Sequence, residues 1–251
     1  MVCRTALVTG AQRGIGFAIA QKLFAHGHNV VLCDLNAKEV LAAAKSLDPT
    51  LKRVHAAQCD IRDEQAVSAM VADAHQKFGA LEVLVNNAGI SPKHNGKRLP
   101  IAQMSLGEWR DVLDVNLTGA FICSKAVLAH MKHSGWGRII SISSQAARTA
   151  SVIAGAHYAA SKAGMLSLSR SLAAEVASQG ITVNCIAPGR IITPMANEAG
   201  EQANTEYLKR IPVNRLGTAD DVANAVAFFA SEQSSFITGV VLDVNGGALM
   251  I

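Results

Sequence analysis

A repeating alternation constrains this chain more than any other feature. Short, continuous apolar runs are each followed by a longer stretch with helical spacing. "TALVTG" reads as a strand and "GIGFAIAQKLFAHG" as a helix. "NVVLCD" and "AKEVLAAAKSL" repeat the pair, as do "RVHAAQCD" and "EQAVSAMVADAHQKFG". "LEVLVNNAG" is then a strand, followed by a long helix around 108–133 and the strand "GRIISISS". A helix through 157–178 leads to the strand "ITVNCIAPG", and a helix near 219–230 and a strand near 239–244 close the series. Strands that are apolar throughout, rather than at every second position, are buried on both faces by helices, as in a parallel sheet. The pattern predicts an α/β fold: one doubly wound parallel sheet of about seven strands with helices on both faces. No break is long enough for a boundary, so residues 1–251 read as a single domain.

Composition removes several classes. A formal net charge of +4 with no dense Lys/Arg block leaves no nucleic-acid footprint. No apolar run reaches the ~18 residues of a membrane helix. The opening "MVCRTALVTG" enters a strand at once and lacks a signal-peptide pattern. Cys3, Cys33, Cys59, Cys123 and Cys185 show no CxxC pair and no metal spacing. They read as reduced, mainly buried thiols of a cytoplasmic protein without a metal.

Two local features carry chemistry. "TGAQRGIG" joins the first strand to the first helix, and its Gly10, Gly14 and Gly16 let backbone approach a diphosphate at a helix N-terminus. The spacing is GxxxGxG rather than GxGxxG. Asp34 ends the second strand, where a carboxylate accepts bonds from adenosine ribose hydroxyls and repels a 2′-phosphate, so NAD is expected over NADP. Arg13 opposes this, since it could pair with that phosphate. In "HYAASKAG", Tyr158 stands four residues before Lys162, on one helix face. A phenol titrates near pH 10, and an ammonium close by favours the phenolate, which brings the group toward useful proton transfer.

These motifs, with "CDIRD", "NNAG", "VNLTGAF", "SISS", "APG" and a terminal "VNGG" in that order, resemble the short, single-domain branch of the short-chain dehydrogenase/reductase family over essentially the whole length. The resemblance implies a Rossmann-like fold, a nicotinamide cofactor and interconversion of alcohol and carbonyl. It implies Tyr158 as general acid/base, Lys162 as its partner, Ser144 as the substrate-orienting hydroxyl and Asn116 as holder of a water chain. Against the cofactor it places Gly10, Gln12, Arg13, Gly14, Ile15 and Gly16, then Asp34, Asp60, Ile61, Asn87, Ala88 and Gly89. Tyr158, Lys162, Pro188, Gly189, Ile191 and Thr193 complete that set. The serine is a departure: the family usually has it about 13 residues before the tyrosine, a position held here by Gln145. Ser141 and Ser143 are rivals of Ser144, which is preferred as the second serine of the strand-ending pair.

Substrate is read less directly. Lys93, His94, Gln145, Arg148 and Arg190 stand where the pocket varies, and could converge on a carboxylate, phosphate or sulfonate. A secondary alcohol or ketone on a polyol, sugar, hydroxy acid or other anionic molecule is the main expectation, with a 3-oxoacyl thioester as the alternative. A Rossmann methyltransferase and a non-enzymatic dinucleotide sensor are the rivals of different class. Segments 90–103 and 188–206 read as loops, and 190–206 as a substrate lid carrying Ile191, Ile192 and Met195. Met104, Met131 and Met165 read as packing residues. Small and apolar residues around the helix from Tyr158, and an apolar C-terminal tail, predict a homotetramer.

Overall fold

The computed structural model describes residues 2–151, 153–193 and 200–251. Its strands are β1 (Thr5–Thr9), β2 (Asn29–Asp34), β3 (Val54–Gln58), β4 (Val83–Asn86), β5 (Gly137–Ile142), β6 (Ile181–Pro188) and β7 (Val241–Val244). They form one seven-stranded sheet in the order β3-β2-β1-β4-β5-β6-β7. Every neighbouring pair is parallel, as the unbroken apolar runs predict. The chain builds outward from β1 to β3, then returns to lay β4 on the other side of β1. Strand order reverses there, and ligands of such sheets bind beyond the strand ends at that crevice.

Alternate residues of each strand feed opposite cores. Ala6, Val8, Val30, Leu32, Val83 and Val85 face one cluster, while Leu7, Val31, Cys33 and Leu84 face the other. The first cluster is covered by α1 (Gly14–Ala25), α2 (Ala37–Leu47) and a helix at Ala219–Phe229. The second is covered by α3 (Glu64–Phe78), a helix at Gly119–Ser134 and another at Ala156–Val176. Burial on both faces is why β2 and β4 are apolar at consecutive positions.

The predicted long helix is α4 (Leu106–Leu113) running through a π-helical turn, Asp114–Thr118, into α5 (Gly119–Ser134). By length and composition it could cross a membrane. Instead Ile122, Cys123, Val127 and Met131 of α5 are buried against the sheet. The helix from Tyr158 is α6 (Ala156–Val176). Residues 188–206 are not all loop: α7 (Gly200–Leu208) occupies part of them. Its sequence, "GEQANTEYL", is mostly polar, so no apolar period announced it. The last helix, α8 (Ala219–Phe229), begins with a capping box between Thr218 and Asp221. Cys33, Cys59, Cys123 and Cys185 are buried and free, and Cys3 is exposed and free. Met131 and Met165 are fully buried in the core, as expected of packing residues, whereas Met195 lies outside the described residues.

Candidate active site

The loops after β1, β2, β4, β5 and β6 border one cleft of about 700 Å³. Gly10 has φ +64, a left-handed conformation that glycine adopts without a Cβ penalty. A Cβ built on Gly16 would overlap the carbonyl oxygen of Gly10, so the first turn of α1 can close under the loop only as glycine. Asn87 clamps the same loop, its Nδ2 donating to the carbonyls of Thr9 (2.8 Å) and Gly10 (3.0 Å). The Thr9 hydroxyl accepts in turn from the amides of Asn87 (3.1 Å) and Ala88 (3.0 Å).

Asp34 ends β2 facing this loop. Its Oδ2 accepts from the Gln12 amide at 3.1 Å and its Oδ1 from the Leu35 amide at 2.8 Å. It does not cap α2, whose first amides are taken by Asn36. Asp60 is gripped by Arg62, whose Nη2 lies 2.6 Å from Oδ2. That guanidinium holds the Asp60 carboxyl below its ordinary value. Gly10, Gln12, Arg13, Gly14, Ile15, Gly16, Asp34, Asp60, Ile61, Asn87, Ala88, Gly89, Tyr158, Lys162, Pro188, Gly189, Ile191 and Thr193 all line the cleft.

Tyr158 and Lys162 rise from the first two turns of α6 on one face. The Lys162 ammonium is 5.8 Å from the centre of the Tyr158 ring. Lys162 is almost completely buried and donates to the Ile142 carbonyl at the end of β5 (2.7 Å). Burial brings its pKa down to about 8, so it remains mostly cationic at neutral pH. Burial pushes the Tyr158 phenol up, opposed by a hydrogen bond with the Ser144 side chain. The expected lowering of the phenol by Lys162 is thus not what governs this site. Desolvation raises the phenol, the Ser144 bond opposes it, and the ammonium is directed at Ile142.

Both serines of the strand-ending pair border the cleft, but their hydroxyls point different ways. Ser144 lines the cleft and meets the Tyr158 phenol, and its Oγ also accepts from the Ala146 amide at 3.1 Å. The Ser143 hydroxyl turns inward and donates to the Lys162 carbonyl (2.9 Å). Ser141 is buried in β5 beside Ser169. Asn116 stands in the π-helical turn, fully buried, and is not among the cleft-lining residues. Its amide accepts from Ile90 N (2.7 Å) and donates to Ile90 O and Ser161 Oγ (3.0 Å each). The side chain expected to hold a water chain is therefore committed to the backbone after "NNAG", whose polar groups need partners.

The proposed anion-binding set does not converge. Lys93, Gln145 and Arg190 line the cleft, but His94 and Arg148 do not. Arg148 is paired with Asp243 of β7, and His94 with Glu108 (2.8 Å). Gln145 accepts from the Tyr207 hydroxyl (2.9 Å), and Arg190 donates to Asn204 (2.8 Å). His94 and Arg148 are thus held off the cleft by their carboxylate partners, while Lys93, Gln145 and Arg190 remain on its wall. Of the lid residues, Ile191 is buried and bridged to Gly217, and Ile192 is exposed.

Sequence reading missed Thr9, Ser161, Tyr207 and Arg210. Tyr207 and Arg210 line the cleft. Tyr207 is the other of only two tyrosines, the one signal that pointed to it. Thr9 and Ser161 lie inside the "TGAQRGIG" and "HYAASKAG" stretches, but their contacts, to the Asn87 and Ala88 amides and to the Asn116 amide, are long-range and spacing does not show them.

The cleft has the chemistry of a dinucleotide site. Gly10 and Gly16 are held where a Cβ would strike Ala88 Cα (2.8 Å) or the Gly10 carbonyl oxygen, which keeps the loop backbone tight along the cleft, whereas a Cβ on Gly14 would meet nothing within 4 Å. Gln12 Oε1 is buried there without a hydrogen-bond partner among the described residues. A Ser–Tyr–Lys cluster at the other end makes the class an oxidoreductase. The chain belongs to the short-chain dehydrogenase/reductase family, whose members use a nicotinamide cofactor. Residues 10–248 match the family model described as enoyl-(acyl carrier protein) reductase. It is 39% identical to the 3-oxoacyl-[acyl-carrier-protein] reductase of Staphylococcus aureus, with 98% of each chain covered. It is 38% identical to the (2S)-[(R)-hydroxy(phenyl)methyl]succinyl-CoA dehydrogenase subunit BbsD of Thauera aromatica, covering 97% of this chain and 96% of that one. Among solved structures, a 3-oxoacyl-[acyl-carrier protein] reductase with bound NAD from Brucella melitensis superimposes with TM-score 0.92. It shares 41% identity, with 99% of this chain and 92% of that one covered.

Proposed function

We propose that this chain reduces the 3-oxo group of an acyl thioester, carried on acyl carrier protein or coenzyme A, to the 3-hydroxyacyl thioester. The carrying observation is the meeting of Ser144 and Tyr158 beside buried Lys162, where the cleft leads away from the glycine loop. The names of the relatives support the thioester over a polyol, sugar or simple hydroxy acid, and family membership sets aside the methyltransferase.

The glycine loop, Asp34, Asp60, Asn87–Gly89, Ile191 and Thr193 would hold the nicotinamide cofactor. When bound in reduced form, it supplies the hydride. Ser144 donates a hydrogen bond to the substrate carbonyl oxygen and fixes its position. Tyr158 gives that oxygen its proton, a role suited to a phenol that burial keeps protonated at neutral pH. As the phenolate forms, the Ser144 bond and the Lys162 charge stabilise it in a site of low dielectric. Asn116 fixes the Ile90 peptide, and hence the wall beside Lys162. In the reverse direction Tyr158 takes the proton from the alcohol.

NAD is the preferred cofactor on this reading, because the Asp34 carboxylate faces the glycine loop at the end of β2. The NAD bound by the Brucella relative supports it. The assembly is a homotetramer: Phe121 is exposed on α5 beside Leu117, Gly164 and Leu168, and Phe236, Val240, Leu242, Met250 and Ile251 are exposed around β7 and the C-terminus.

The test is turnover by the purified chain of acetoacetyl-CoA and a 3-oxoacyl-acyl carrier protein with NADH and NADPH, beside oxidation of a panel of polyols and hydroxy acids. The thioesters should give the highest kcat/KM. Turnover confined to the alcohol panel would overturn the assignment.

A further inference from the structure

Next to Tyr158, one carboxylate joins two imidazoles from different parts of the chain. The N-cap of α6 is Gly155, which has no side chain to cap the helix. The amide of Tyr158, in the first turn, donates instead to Nδ1 of His157 (2.7 Å). That nitrogen must be unprotonated to accept, so Nε2 carries the proton and donates to Glu108 Oε1 (2.8 Å). His157 is buried to 1% exposure, and a Cβ on Gly155 would overlap its ring. Gly155 therefore leaves room for this imidazole.

The other oxygen of Glu108 contacts His94 Nε2, also at 2.8 Å. His94 opens a tight turn closed by reciprocal backbone bonds with Lys97. Asn95 and Gly96 between them have φ 51 and 75, as a two-residue Asn-Gly turn requires. The same loop is tied a second time, by Lys93 Nζ donating to the Ile153 carbonyl (2.7 Å). Lys93, Ile153 and Tyr158 all line the cleft.

We propose that Glu108 and His157 are positioning residues for Tyr158, and that His94 joins the 90–97 loop to them, so that loop and tyrosine are held as one unit. His157 supplies the cap that fixes the Tyr158 backbone. Glu108, on α4, fixes the imidazole and through His94 the loop bordering the substrate. The proposal rests on Tyr158 as the proton-transferring group.

The experiment uses the full chain with NADH and acetoacetyl-CoA, and amide hydrogen exchange without ligand. E108A should lower kcat about tenfold, well inside the ~100-fold that a 1 Å misplacement costs. H94A should act on KM more than on kcat, raising it roughly threefold to tenfold, the worth of about one net hydrogen bond. E108Q, whose amide oxygen still accepts from His157, should recover most of kcat. In E108A, exchange should rise together at 158–161 and at 90–97, and in E108Q at neither. E108A with native circular dichroism but unchanged kinetics and exchange would overturn the positioning. So would an equal loss in E108Q, since charge rather than bonding would then be at work. Should E108A not fold, H157N, which keeps a capping oxygen but cannot bridge to Glu108, carries the same comparison. Full turnover by Y158F would instead refute the catalytic reading, while the exchange result still judges the coupling.

Discussion

The Lys162 ammonium donates a hydrogen bond to the Ile142 carbonyl at 2.7 Å, deep enough that burial brings its pKa down to about 8. This has a signed consequence for pH. The unfolded chain holds the lysine proton up to about 10.4, whereas the folded chain releases it near 8. Between those values the unfolded state binds more protons, so folding gains stability as pH rises. Denaturant titrations of wild type and Lys162→Met should show wild type gaining relative to the variant from about pH 8 to about pH 10.4. A pH-independent difference would contradict the assignment. Reductive kcat/KM should also fall as pH rises past about 8 and Lys162 loses its charge.

Tyr158→Phe should lower turnover by about 100-fold or more, the usual worth of a positioned acid, while NADH binding persists. Ser144→Ala should also cut turnover strongly. Ser143→Ala should cost about 1 kcal/mol of stability instead, because its hydroxyl bonds the Lys162 carbonyl in the core. Steady-state rates and urea midpoints on the three variants separate these outcomes. If the two serines exchange effects, Ser144 is misassigned.

Cofactor choice should follow Asp34. At ~4 Å and an effective dielectric near 20, a carboxylate and one phosphate charge repel by about 4 kcal/mol, an upper figure before salt and relaxation. Asp34→Ala should weaken NAD and relieve NADP, narrowing the ratio of their kcat/KM values at fixed ionic strength. A wild type that prefers NADP, or a ratio indifferent to the substitution, would hand the site to Arg13.

Light scattering at micromolar concentration should give a tetrameric mass. Phe121→Asp should reduce it, since a charge would be placed on the exposed α5–α6 face. A monomeric wild type refutes the assembly.

The sequence by itself determined the doubly wound sheet, and the residues it offered for a cofactor all border one cleft. Both are local matters: Val30–Cys33 is apolar at consecutive positions because both faces are covered, and Gly10 and Gly16 stand where backbone must pass backbone. Only the tertiary structure decided which serine faces Tyr158, because adjacent residues at a strand end point opposite ways and spacing cannot say which is inward. It also removed His94 and Arg148 from the expected substrate ligands. Arg148 meets Asp243 across 95 positions, and His157 meets Glu108 across 49. Such pairs exist only once strand order and crossovers have brought distant segments together, and a charged or buried polar group then takes the nearest partner the fold provides.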